Sequence, residues 1–198
     1  MGAIFQSLGR TVLAGFVVLA VIIIAAGGAG AKAGDHAWWA FVFRWLHIAS
    51  GVMWIGILYY FNFVQMPSMP KIPDEQKPAI GKVIAPEALF WFRWSALSTV
   101  IFGLLLALMK GVNTYLLPAL MLQKGFTAIG IGVWLALVMA FNVWFIIWPN
   151  QKKALGLVQV EAAEKAKAAR TAMLVSRLNT LLSIPMLYCM VAQQNGGL

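Results

Sequence analysis

Five apolar stretches, each long enough to cross a bilayer as a helix, constrain this chain more than any single motif. A spanning helix needs roughly 20 consecutive apolar residues. The sequence offers Thr11–Gly30, Trp38–Val64, Phe90–Met109, Phe126–Trp148 and Ala172–Ala192. Backbone amides in hydrocarbon must be satisfied inside the segment, so each stretch is expected to be a helix. The expected fold class is all-α: a polytopic membrane helix bundle of about five transmembrane helices, forming one membrane domain over residues 1–198. Composition agrees, with 62% hydrophobic and only 11% charged residues. A soluble domain carries about 45–50% and 25%.

The formal charge of +9 does not point to nucleic acid, because the cations sit mostly between the apolar stretches. That distribution fits a lipid bilayer as the partner and sets an orientation. Arg10, Lys71, Lys77, Lys82, Lys152, Lys153, Lys165, Lys167 and Arg170 fall on one side, against Lys32, Lys110 and Lys124 on the other. The N-terminus is therefore expected in the cytoplasm and the C-terminus outside. The first stretch runs into Ala26-Gly27-Gly28-Ala29-Gly30-Ala31 and resembles a signal peptide. Its apolar run exceeds a usual h-region, so it is read as a retained helix. The five prolines Pro67, Pro70, Pro73, Pro78 and Pro86 predict an extended, semi-rigid link from Met66 to Pro86. Between Pro149 and Arg170, Glu161 to Lys167 predicts a surface connecting helix with a Glu161–Lys165 pair. The lone Cys189 excludes a disulfide framework, a thiolate cluster and a c-type haem site.

Ionisable residues inside spans are costly and usually functional. On the second stretch Ala40, Arg44, His47, Gly51, Trp54 and Leu58 share one helix face. A histidine with a glycine one turn on suits a flat macrocycle, with His47 on the iron and Arg44 beside a propionate. Equally open is a plainer reading, in which His47 bonds a neighbouring helix and Arg44 snorkels outward. His36 cannot share one haem with His47, because eleven helical residues separate them by about 16 Å. A sixth iron ligand would come from another helix, a methionine for instance.

A second polar group gathers toward the expected cytoplasmic ends of the spans: Asn62, Arg93, Asn142, Asn150, Arg177 and Asn179. Arg93 and Arg177 with Asn142 and Asn179 form a candidate anion- or lipid-binding site. Interfacial snorkelling toward phosphates is the alternative. The nine tryptophans read mostly as interfacial belts, with Trp45, Trp54 and Trp134 as deeper packing residues.

Three blocks carry a resemblance. Arg44-Trp45-Leu46-His47-Ile48 through Gly51 to Tyr59-Tyr60-Phe61 resembles the opening helix of the membrane-bound urate oxidases (urate hydroxylases). Met139-Ala140-Phe141-Asn142-Val143-Trp144-Phe145-Ile146-Ile147-Trp148-Pro149-Asn150-Gln151-Lys152-Lys153 resembles that family's M-A-N-V-F-F-V-I-x-P-N-Q-R-K signature. Ser176-Arg177-Leu178-Asn179 through Leu182-Ser183-Ile184-Pro185 resembles its last membrane helix, although the family commonly has H-N-N where Arg177-Leu178-Asn179 stand here. A weaker similarity reaches the small membrane protoporphyrinogen oxidases, whose L-H-I histidine is implicated in haem binding and matches His47. The resemblance implies an integral membrane redox protein, in a bacterial inner membrane, holding haem b through His47. Family members carry a C-terminal cytochrome c domain that the 198 residues here do not include. An external cytochrome is therefore the expected electron acceptor. The competing expectation is a non-catalytic accessory subunit of a larger membrane complex.

Overall fold

Long apolar runs become long helices, and most of the prolines lie inside them. The computed structural model describes residues 2–26 and 34–197. Among them, five helices are long and apolar enough to cross a membrane. These are α1 (Leu8–Ala25), α2 (His36–Lys71), α3 (Lys77–Met109), α4 (Thr127–Ala154) and α5 (Ala162–Asn195). No strand occurs among the described residues, so the all-α expectation holds.

The largest departure lies after the second apolar stretch. The expected extended link from Met66 to Pro86 is mostly helix, and only residues 72–76 interrupt it. Pro78 sits in the first turn of α3, where the missing N–H is not needed, whereas Pro67, Pro70 and Pro86 lie further inside α2 and α3. Within a continuing helix a proline ring still clashes with the carbonyl four residues earlier. A wide π-helical turn stands ahead of four of the prolines. Tyr60–Gln65 leads to Pro67, Ile80–Ile84 to Pro86, Val112–Leu116 to Pro118 and Asn142–Ile147 to Pro149. The helices therefore absorb their prolines instead of ending at them. The expected connecting helix at Glu161–Lys167 is likewise the start of α5, and its ion pair joins Glu164 to Lys153 at 2.6 Å.

The chain divides into two units, Met1–Phe41 and Val42–Leu198. In the first, α1 buries none of its residues, and the Thr11 hydroxyl lies 3.1 Å from Ile4 O and 3.0 Å from Ser7 O. The small-residue run after Ala26 and Lys32 fall outside the described residues.

In the second unit, α2 contributes Trp54, Leu58 and Phe61 to the core, and α3 contributes Leu89, Phe92 and Ala96. Met139, Val143 and Ile147 of α4 and Met186 of α5 pack against them. Gly132 lets α5 lie close along α4, since a Cβ there would stand 3.3 Å from Cys189 Cβ and from Met190 N. Gln193 of α5 clamps the start of α4. Its Nε2 donates to Gly125 O at 2.8 Å and its Oε1 accepts from Ile129 N at 3.2 Å, which satisfies one of the N–H groups a helix start leaves unpaired. Tyr59 and Ser183 join α2 to α5 through a 3.0 Å hydrogen bond. The outward faces are apolar, with Val52, Phe63, Ile101, Phe145 and Ile184 all exposed.

Candidate functional site

His47 is half-buried on the α2 face that also carries Gly51, Trp54 and Leu58. Its Nδ1 lies 2.8 Å from the Thr99 carbonyl oxygen on α3. A carbonyl only accepts, so Nδ1 bears the hydrogen, and in the neutral ring Nε2 keeps the lone pair. Nε2 has no hydrogen-bond partner among the described residues. Gly103, one turn beyond Thr99, provides the seat: a Cβ there would stand 2.9 Å from both Cε1 and Nδ1 of the imidazole. A histidine held through one nitrogen by a backbone carbonyl, with the other nitrogen free, is the usual preparation of an imidazole metal ligand.

Gly51 lies on the same face but plays a looser part. A Cβ at Gly51 would meet Thr99 Cγ2 at an ordinary 3.8 Å.

Arg44, one turn before His47, is half-buried, and its Nε is buried without a hydrogen-bond partner. Its charge reaches two groups just past the end of α3. Burial, and then the Arg44 charge, pushes the Lys110 ammonium below the usual lysine value. Burial raises the Tyr115 hydroxyl, with Arg44 acting in the opposite direction. Lys110 Nζ lies 4.2 Å from the centre of the Tyr115 ring, within cation–π reach. No carboxylate contributes to either shift. The result is a positive cluster of Arg44 and Lys110 adjoining the His47 seat.

The sequence singled out His47, Arg44 and Gly51 but missed Thr99, Gly103, Lys110 and Tyr115. A Thr99-x-x-x-Gly103 spacing on a neighbouring span was the available signal. Nothing in one sequence says that this face of α3 meets His47.

The second polar group is arranged differently. Asn142 and Asn179 are buried and bonded to each other, Asn142 Nδ2 donating to Asn179 Oδ1 at 2.8 Å. Asn179 Nδ2 donates to Met139 O at 3.0 Å. Arg93 donates from Nε to Leu89 O at 3.1 Å, and its guanidinium lies 3.3 Å from the centre of the Trp148 ring. Arg177 is exposed. Two helical residues separate it from Asn179, so the two side chains leave α5 about 200° apart. The structure thus brings Asn142 and Asn179 together and turns Arg177 away from them. Trp54 is in the core, whereas Trp45 and Trp134 are exposed, Trp134 donating from Nε1 to Leu120 O at 3.0 Å.

Among the described residues no three His, Cys, Asp or Glu side chains come together to hold a bare metal ion. A metal on His47 would have to bring most of its ligands with it.

Residues 108–196 match the family model described as urate oxidase N-terminal. That span contains the Met139–Lys153 and Ser176–Pro185 blocks, the buried Asn142–Asn179 pair, Lys110 and Tyr115, and begins after His47 and Arg44. Neither a curated protein nor a solved structure matches the chain. Over residues 108–196, which take in α4 and α5, the chain is similar to the urate oxidase N-terminal family.

Proposed function

We propose that this protein is an integral membrane redox protein of the urate oxidase type that holds a b-type haem through His47 and passes electrons to an external cytochrome. The observation that carries the reading is the prepared imidazole. Nδ1 is committed to Thr99 O, the ring rests on Gly103, and Nε2 is left to bind iron. Arg44, with its unpartnered Nε, and Lys110 supply positive charge where propionates would need it.

When bound, the haem would supply one-electron chemistry. The protein's own part is to fix the histidine tautomer through Thr99 O and to neutralise the carboxylates with Arg44 and Lys110. The exposed apolar faces of α2 to α5 and the five long apolar helices support placement in a bilayer.

Absorption spectra of the purified protein, oxidised and reduced, test the proposal. A Soret band is expected, and His47→Ala should remove it while circular dichroism stays helical. Colourless protein after haem-replete expression sinks the haem reading. If that colourless protein also co-purifies with catalytic subunits, the accessory-subunit reading takes its place.

A further inference from the structure

A cavity of about 270 Å³ opens among α2, α3, α4 and α5 around Gln65, away from the His47 seat. Phe61, Phe92 and Met173 help to line it, and its polar wall is Gln65, Gln151 and Ser176. No charged side chain lines it. Three methionines, Met66, Met69 and Met173, face the same space as the two phenylalanines, whose rings meet edge to face at 5.8 Å. Sulfur and aromatic edges of this kind favour an aromatic occupant.

The cavity wall also holds unmet hydrogen-bonding capacity. Gln65 Oε1 is buried with no partner. Asn62 Nδ2 donates to Leu58 O and to the Ser176 hydroxyl, both at 2.9 Å. Because Leu58 O can only accept, the orientation of this amide is fixed, and its Oδ1 is an acceptor that is buried and unpartnered. Buried polar groups are almost always satisfied, so the orphan Gln65 acceptor in the cavity wall needs a donor, and Asn62, bonded to the lining residue Ser176, carries a second unmet acceptor beside it. A water molecule occupies about 30 Å³. One or two waters at the amides would therefore leave most of the apolar wall uncovered. Both amides belong to the π-helical turn Tyr60–Gln65, and turns of that type recur at functional sites.

We infer that this cavity binds a small neutral aromatic molecule that donates an O–H or N–H to Gln65. The absence of charge in the wall excludes an ion. The volume lies just below the range of about 300–1,000 Å³ typical of drug-sized ligands, which suits one or two rings. The site does not depend on haem at His47, and the two stand or fall separately.

The full chain in detergent can be titrated with 1-naphthol and with 1-methoxynaphthalene, which has the same rings without the donor. Each affinity is corrected for that probe's partition into empty micelles. The native protein should bind naphthol at least fivefold more tightly than the ether. Gln65→Leu should cut that preference to half or less. Met173→Trp fills the cavity from its half-exposed rim and should weaken both probes at least tenfold. A native preference below fivefold overturns the inference, as does a preference that stays above half in Gln65→Leu. Undiminished binding of both probes to Met173→Trp, with helicity intact, places them elsewhere and also overturns it.

Discussion

Two glycines near His47 differ in what a single methyl group would do. At Gly103 the added Cβ would stand 2.9 Å from the imidazole, so the ring must leave its seat or α3 must shift. Overpacking of this kind costs about 1–3 kcal/mol. Gly103→Ala should lower the melting temperature and the haem-to-protein ratio while His47 itself is unchanged. At Gly51 the same change meets an ordinary 3.8 Å contact, and alanine gains about 0.5–1 kcal/mol of helix propensity. Gly51→Ala should therefore leave both readouts intact or improve stability. Lys110 gives a pH prediction. Its pKa is lowered in the folded state, so between that value and the ordinary lysine value the unfolded chain holds more protons, and stability rises with pH there. Arg44→Gln removes the second cause and should raise the Lys110 pKa, read by NMR of the methylated lysine. The sequence could nominate His47 and Arg44 because a charge in an apolar run is visible locally. Their seat was hidden because glycine and threonine in a span carry no such mark.

At the scale of elements, the Asn142–Asn179 pair ties α4 to α5 inside the core. Asn179→Leu alone strands Asn142 Nδ2, while Met139 O keeps the Asn142 backbone N–H, and a stranded buried group costs about 1–3 kcal/mol. Asn142→Leu together with Asn179→Leu should cost less than the sum of the two single changes, and a double-mutant cycle of unfolding free energies checks this. Both asparagines were legible as polar residues in apolar helices. Their pairing was not, because it depends on the angular position that the π-helical turn at Asn142–Ile147 gives to α4. The same turns explain why helix ends were misplaced. Proline reads as a stop in sequence, yet Pro67, Pro86 and Pro149 lie inside α2, α3 and α4 because the backbone widens just ahead of them.

For the whole molecule, the five apolar segments emerged from the sequence nearly complete, since length and hydropathy need no tertiary information. An odd number of crossings would put the two termini on opposite sides of a bilayer. From the distribution of lysine and arginine we propose a cytoplasmic N-terminus. Alkaline phosphatase fused after Gly197 should be active outside the cell, and a fluorescent protein inserted after Leu155 should fold in the cytoplasm. The reverse pattern would invert the assignment. The π-helical turns also bear on how the chain tolerates change in length. Each amounts to an α-helix carrying one surplus residue, so deleting a single residue within Tyr60–Gln65 or Asn142–Ile147 would leave an unbroken helix. The part beyond it would keep its rotation and its place along the axis, because the wide turn already takes up the surplus residue, whereas the same deletion in a regular stretch would rotate everything beyond it by about 100° and move it by about 1.5 Å. A one-residue gap in the middle of a spanning helix, ordinarily a sign of misalignment between relatives, would here mark two chains that keep the same helices and present the same faces to the bundle interior on both sides of the gap.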